Sequence, residues 1–332
     1  MDKSTEFILR RRMHGLYLSR KNDCITTLAH ELLGLHCWFH RNVVFSALIR
    51  GADITGWKTA LTKTWLYRGT LHGVVYEDLP ELLALHMGGP VCGWVEGNDK
   101  KSEIAEKVMS LMEDGIYSRA QMRQIFADEY DKWTIDTMFS PWGGIFCELA
   151  RAGKVAFRDM TSRDFDLISA APTQSPAEVL PDLFNRYIAA YGPATIDDAA
   201  WFFGLQKERK HELTSLCLDE YKRLEHNKKT YYFLDGEDEC DIPELTLLSG
   251  FDPFVVSYTD RNAVLPSEYK NAVILKSGIC LPSIAVNGQI AGIWNIKGNK
   301  PTVEFFTEQP KKIIAAANDM VNGMCFKAKN NI

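Results

Sequence analysis

An α+β fold of tandem winged-helix (helix–turn–helix) units, followed by a β-rich C-terminal part, is what this sequence predicts. Three observations carry that expectation. Helical periods end in short β text twice before Lys229, with a third helix–turn–helix stretch running into it, and the stretch WLYRGTLHGVV (65–75) joins β-rich text to Gly69 and Gly73, the composition of a hairpin. From Lys229 onward β text dominates. With 332 residues, 46% hydrophobic and 24% charged, the chain is long enough for more than one buried core.

In order, Thr5–Leu16 reads as a helix capped by Ser4 or Thr5 and carrying the basic cluster Arg10–Arg12. Asp23 is positioned to cap a second helix, whose apolar residues Ile25, Leu28, Leu32 and Leu35 recur at three- and four-residue steps. Residues 43–50 and Trp57–Trp65 read as further helical pieces before the hairpin. A helix EDLPELLALHM then stops at the Gly88–Pro90 turn. Ile104–Met112, a segment from Ser118 with a capping-box spacing to Gln121, Ile145–Arg151 and a strand Lys154–Phe157 repeat the helix, helix, helix, strand order. The polar segment TQSPAE (173–178) reads as a linker. Leu180–Tyr191, a helix capped by Thr195 and QKERKHELTSLCL form a third helix–turn–helix. YYFL, TLLS, FVVSY, AVILK, IAVNGQIAGIW and TVEFF read as β, with Asn287–Gly288 as a two-residue hairpin turn, and Gln309–Phe326 as a closing helix. The expected divisions are 1–95, 96–172, 173–228 and 229–332.

The net charge of −5 hides an uneven distribution. Residues 1–72 hold eleven Lys/Arg against five Asp/Glu, and five of the eight histidines (14, 30, 36, 40, 72). A polyanion therefore meets the N-terminal part first. The eight cysteines (24, 37, 92, 147, 217, 240, 280, 325) stand singly, so neither a zinc ribbon nor a disulfide scaffold is expected. No apolar run approaches the ~20 residues of a membrane span, and the start MDKSTEFILRRRM has no signal-peptide pattern. A cytoplasmic, nucleoid-associated monomer is expected. No Gly-rich phosphate loop is present, so no nucleotide cofactor is expected.

Four ordered stretches resemble the AlkZ/YcaQ-like winged-helix DNA glycosylases: TWLYRGTLHGVVYEDLPELLAL (64–85), RYIAAYGPATIDDAAWFFGL (186–205), GFDPFVVSYTDR (250–261) and NGQIAGIW (287–294). The resemblance implies three winged-helix units and a β-rich part embracing duplex DNA. It also implies removal of alkylated purines, cross-linked ones included, by hydrolysis of the N-glycosidic bond.

That family's catalytic signature is Gln-x-Gln or Gln-x-Asp, with His sometimes at the first place; here the matching text is LGLHCWFHR, which puts His36 and Trp38 at the signature positions. An N7-alkylated purine is cationic and leaves readily, so the enzyme mainly aligns a water and stabilises positive charge on the sugar. A neutral His36 offers an unprotonated ring nitrogen for that water. Trp38 offers a donor only, and is suited to stacking on a base or sugar. The alternative reading is a DNA-binding protein without glycosylase activity, either a damage sensor or a regulator.

Arg10, Arg11, Arg12, Arg41, Arg50, Arg68 and His72 are the candidate DNA contacts, guanidinium groups binding phosphate bidentately. For Arg68 a second role is holding its turn, and His72 either faces the groove or finishes its strand. His36 and His40 have the i, i+4 spacing of two metal ligands, but no Glu or third ligand completes a set, so no metal is expected. Asp252 reads as a satisfied turn residue paired with Arg261, and Trp201–Phe203 as core packing.

Overall fold

The structure, a computed structural model, describes residues 1–87, 99–140, 142–205, 207–236, 241–298 and 300–329. The expected turn at Gly88–Pro90, Cys92 and Cys240 lie outside the described residues. The chain folds as two compact units, one formed by Met1–Thr55 with Asp182–Ile332 and the other by Gly56–Pro181. Among the described residues no helix is long and apolar enough to cross a membrane.

In the first unit, the helix Lys3–Gly15 buries Ile8, Leu9 and Met13. Its cap is Asp2, whose carboxylate accepts from the backbone N–H of Ser4 and Thr5, two or three residues earlier than the expected Ser4 or Thr5. Gly15 ends the helix against the chain at Ala190. A Cβ there would sit 2.3 Å from the Ala190 carbonyl oxygen and 3.2 Å from that of Ala189, so only glycine permits this approach. Gly15→Ala is expected to cost about 1–3 kcal/mol through overpacking, read as a lowered thermal midpoint; an unchanged midpoint would mean that the two segments do not meet this closely.

Third in this unit comes the aromatic hub. Helix Pro176–Tyr191 and helix Ile196–Phe203 bring together Tyr187, Tyr191, Phe202 and Phe203, with Tyr187 and Tyr191 stacked at 5.0 Å. Thr195 and Asp198 form a reciprocal capping box, as the Thr195 reading expected of the N-terminus. Phe202 and Phe203 are buried, whereas Trp201 is 43% exposed and donates its indole N–H to Val256 O at 2.9 Å. Helix Lys210–Thr214 follows, then an antiparallel hairpin of Lys222–His226 and Lys229–Phe233. The expected division at 228–229 falls in the turn of this hairpin.

A four-stranded antiparallel sheet closes the unit, in the order Lys300–Phe305, Gln289–Lys297, Ser283–Val286, Leu245–Leu248. Asn287 and Gly288 both take positive φ, 49° and 80°, as a two-residue turn matched to strand twist requires. Helix Lys311–Ala328 packs on this sheet and on helix His40–Ile49. Buried Trp294 meets Phe45 edge-on at 5.0 Å and donates to Leu248 O at 2.9 Å.

Two β readings are corrected here. FVVSY holds the short helix Pro253–Val256, because Asp252 caps Phe254 N and Pro253 supplies a preset φ at the first turn. AVILK starts in the last two residues of the helix Lys270–Val273, and its Ile274 then forms only an isolated bridge to Cys280. β-branched composition gave way to local backbone chemistry in the first of them. The second helix of the chain, Ile25–Glu31, is preceded by Cys24 and has no side-chain cap from the expected Asp23.

The second unit sets helices Asp99–Glu113, Arg119–Phe126, Lys132–Met138 and Ile145–Arg151 with a hairpin of Thr62–Trp65 and Leu71–Val74, which pairs through Lys63 with Phe157 of the strands Val155–Phe157 and Phe165–Leu167. Trp57–Trp65 is therefore a single helical turn, Trp57–Ala60, followed by a strand. Ser118 precedes its helix without a side-chain capping bond. Phe146 and Phe165 stack at 4.0 Å under Trp65 and Phe157. Arg119 lies over both stacked rings, and its burial there pulls its pKa down to about 10.

Candidate active site

The segment that carries His36 is set by a reversal after the helix Ile25–Glu31. Leu33 and Gly34 both take positive φ, and Gly34 N–H donates back to Ala29 O at 2.7 Å. Tyr191, from the aromatic hub, donates its hydroxyl to Leu32 O at 2.7 Å, which fixes the start of this reversal. The two-residue strand Leu35–His36 then begins. Leu35 and Cys37 are buried, while His36, the last strand residue, and Trp38, in the bend that follows, are both half-buried.

The His36 imidazole lies flat on the ring of Phe251, with centroids 4.3 Å apart and planes within 8°. Phe39, largely exposed, stands 6.4 Å from the same ring. Phe251 has a left-handed φ of 56°, which for a bulky side chain costs roughly 1–2 kcal/mol. Its neighbours hold it there. On one side Gly250 leaves no room for a Cβ, which would meet Asn42 Oδ1 at 2.9 Å. On the other, the Asp252 carboxylate accepts from Ser249 N and Oγ at 3.1 Å, from Phe254 N at 3.1 Å, and from both terminal nitrogens of Arg50 at 3.1 and 2.9 Å. Arg50 and Asp252 have 0% side-chain exposure.

This geometry corrects three of the expected DNA contacts. Arg50 is spent on Asp252, Leu16 O and Ser46, and reaches no surface. It, and not Arg261, is the partner of Asp252; Arg261 donates its Nε to Val255 O. Arg12 is 2% exposed, donates to Pro193 O at 2.9 Å and lies 3.5 Å from the Tyr258 ring centroid and 3.7 Å from Asp198, so it ties the first helix into the core. His72 is 5% exposed, with Nδ1 3.2 Å from Thr70 O and its ring edge-on to Tyr67. It lies buried within its strand Leu71–Val74. A sequence reading sees the charge of such residues but not the long-range partner that neutralises it.

The others lie nearer to solvent. Arg10 pairs with Glu6 at 2.8 Å one helical turn away, and Arg11 lies over Phe233 and donates to Leu234 O and Gly236 O. Arg41, half-buried, has its guanidinium 5.9 Å from the Phe45 ring centroid. Arg68 takes a left-handed φ of 53° in the 3-10 turn Tyr67–Gly69. His36 stands on a strand and His40 opens the helix His40–Ile49, so the two do not share a helical face. Among the described residues no group of three His, Cys, Asp or Glu is placed to hold a metal ion.

A family model described as DNA glycosylase AlkZ-like matches residues 58–322. The chain belongs to the AlkZ-like DNA glycosylase family. Among individual relatives of this AlkZ-like chain, an interstrand DNA cross-link repair glycosylase of Streptomyces sahachiroi is 23% identical over 286 residues, covering 77% of this chain and 76% of the relative. The solved structure of Streptomyces sahachiroi DNA glycosylase AlkZ superposes with a TM-score of 0.77 at 22% identity, covering 98% of this chain and 97% of that one. The fold is thus a mixed α/β fold like that of AlkZ. The stretch matched by the family model begins after His36 and Trp38, whose assignment rests on the resemblance of LGLHCWFHR to the family's signature. Phe251 had no sequence signal as a partner of His36, because stacking between residues so far apart in the chain leaves no local pattern.

Proposed function

We propose that this protein is a monofunctional DNA glycosylase that hydrolyses the N-glycosidic bond of N7-alkylated purines in duplex DNA, cross-linked purines included, on a scaffold of tandem winged-helix units. The observation that carries the reading is the half-buried His36 imidazole stacked flat on Phe251, two residues before the half-buried Trp38. Membership of the AlkZ-like family supplies the reaction class. The helix, helix, helix, hairpin order from Pro176 to Phe233 supports a winged-helix reading of the third unit.

In this mechanism an unprotonated nitrogen of His36 accepts a hydrogen bond from water and directs it at the anomeric carbon. The N-glycosidic electron pair leaves with the purine, whose positive charge it neutralises, and the water proton passes to the imidazole. Trp38 contributes a π-face or an indole N–H toward the sugar or base, and supplies no acceptor for the water. Arg41, one residue into the helix that follows, and Arg10 supply phosphate contacts.

The test is a single-turnover assay on duplex DNA carrying one N7-methylguanine, followed by cleavage at abasic sites. The wild type is expected to give strand cleavage. Trp38→Gln, which puts an acceptor at the second signature position, is expected to raise the rate by about 10-fold, less than the roughly 10²–10⁴-fold of a full general acid or base because an amide only orients the water. No cleavage by the wild type under conditions where it binds the duplex would leave a DNA-binding protein and overturn the glycosylase reading.

A further inference from the structure

Beyond the His36 site, the first unit has a cleft of about 420 Å³ lined by Lys229, Thr259, Asp260, Arg261, Asn262, Leu265, Ser267 and Lys270. Three cations face one carboxylate, in a chain whose overall charge is −5. The carboxylate is already engaged: Asp260 accepts from Lys229 Nζ at 2.9 Å and from Asn262 N at 3.1 Å. Lys229 keeps 41% of its side chain exposed in that pair, so water screens it and leaves it easily exchanged. Arg261 donates only its Nε, to Val255 O at 2.9 Å, and its guanidinium is 5.7 Å from the Trp201 ring centroid. Among the described residues no acceptor takes its two terminal nitrogens or the Lys270 ammonium.

The cleft's walls are fixed from within. Thr259 N and Oγ1 both donate to the buried Asp198, at 2.8 and 2.7 Å, and Asp198 in turn caps the helix Ile196–Phe203. Lys229 opens the second strand of the hairpin, just past Asn227 and Lys228, whose φ values of 49° and 60° make the tight turn. Arg261 follows the same short segment that begins at Phe251, the ring under His36. Preset positive groups around a cleft are complementary to a tetrahedral dianion or monoanion, and a guanidinium fixed through its Nε offers its two remaining nitrogens as a fork for it.

We propose that this cleft is a phosphate site, with Lys229, Arg261 and Lys270 receiving a phosphodiester of the DNA backbone. The assignment rests on the reading that the protein binds duplex DNA, and it makes the hairpin Lys222–Phe233 and the segment after Phe251 a second grip on the strand, separate from the residues about His36. None of the three residues was among the contacts expected from the basic N-terminal part. The net-acidic remainder of the chain masked them.

The experiment measures binding of a short undamaged duplex across a salt series. It compares the wild type with Lys229→Gln/Lys270→Gln and with a control, Lys300→Gln/Lys311→Gln, that removes two exposed lysines outside the cleft. Neither cleft lysine is buried, and a thermal melt checks the fold of each variant. The cleft variant is expected to lower the slope of log affinity against log salt by about two, and to weaken binding by about 10- to 50-fold at 0.1 M salt. The control is expected to change the slope by less than half as much. A cleft variant that matches the control overturns the site. Inorganic phosphate is titrated in parallel: if it binds the wild type and not the cleft variant while duplex affinity is equal in both, the cleft takes free phosphate and the backbone assignment fails. A reduced slope in a protein that releases no base upholds the cleft and rejects only the glycosylase reading.

Discussion

His36→Ala lowers the single-turnover rate of N7-methylguanine release by about 10²–10³-fold while changing duplex affinity by little, the signature of a lost group that acts on water and not on DNA binding. The expectation follows from the division of labour at this bond. The alkylated purine carries its own positive charge and leaves without a proton from the protein, so what remains for the enzyme is to hold a water in line and to accept its proton. At the signature positions only the imidazole has an acceptor to offer, since Trp38 carries a donor alone. His36→Gln keeps a hydrogen-bond acceptor for the water but no base for its proton, and is expected to fall between the wild type and His36→Ala, about 10-fold below the wild type, less than the roughly 10²–10⁴-fold of a full general base. The pair of variants separates chemistry from packing. If His36→Ala releases base within threefold of the wild type, water alignment belongs to another residue and the His36 assignment is withdrawn. Phe251→Leu, which removes the flat ring beneath the imidazole but keeps an apolar side chain, should fall between the two.

The parts of this molecule that were legible in the sequence are those written in local chemistry. Thr195 three residues before Asp198, and Asn287 before Gly288, each specify one backbone arrangement, and each is found. The helices at 40–49, 145–151 and 176–191 carry their periodicity in the same way. What misled was composition without context. FVVSY is β-branched and aromatic, yet the Asp252 cap and Pro253 turn it into a helix, and the carboxylate that does this is held by Arg50 from the N-terminal part of the chain. The site shows the same limit. His36 and Trp38 were proposed from a short motif, whereas the ring that lies against His36 and the loop that holds that ring come from residues 249–252. The basic surplus of residues 1–72 was a true count and a poor map, because Arg12 and Arg50 are neutralised by Asp198 and Asp252 in the core. The cations left for phosphate in the cleft come from a stretch that the averaged charge had set aside.

The Arg50–Asp252 pair should accordingly behave as the most sensitive point in the first unit. Asp252→Ala leaves a guanidinium with no exposed surface and no counter-charge, a change expected to cost about 3–5 kcal/mol. It also removes the acceptor for Ser249 N and Phe254 N, which no solvent replaces at a fully buried position. Against the 5–15 kcal/mol that hold a typical domain, such a loss approaches complete unfolding at physiological temperature. Urea titration followed by tryptophan fluorescence measures it, and Trp294 reports from the adjoining sheet. Arg50→Met/Asp252→Leu, which removes both charges at once, is expected to cost less than either single alanine change, because the penalty lies in the orphaned charge more than in the lost attraction. The functional consequence is separable from the loss of stability. At low temperature, where the folded population of Asp252→Ala persists, base release should still fall, because Phe251 is no longer held in its left-handed conformation beneath His36. A single variant that unfolds within about 1 kcal/mol of the wild type would contradict the buried pair itself, since surface pairs alone are worth so little. A stable Asp252→Ala protein with undiminished base release would show that catalysis does not depend on the ring stacked against His36.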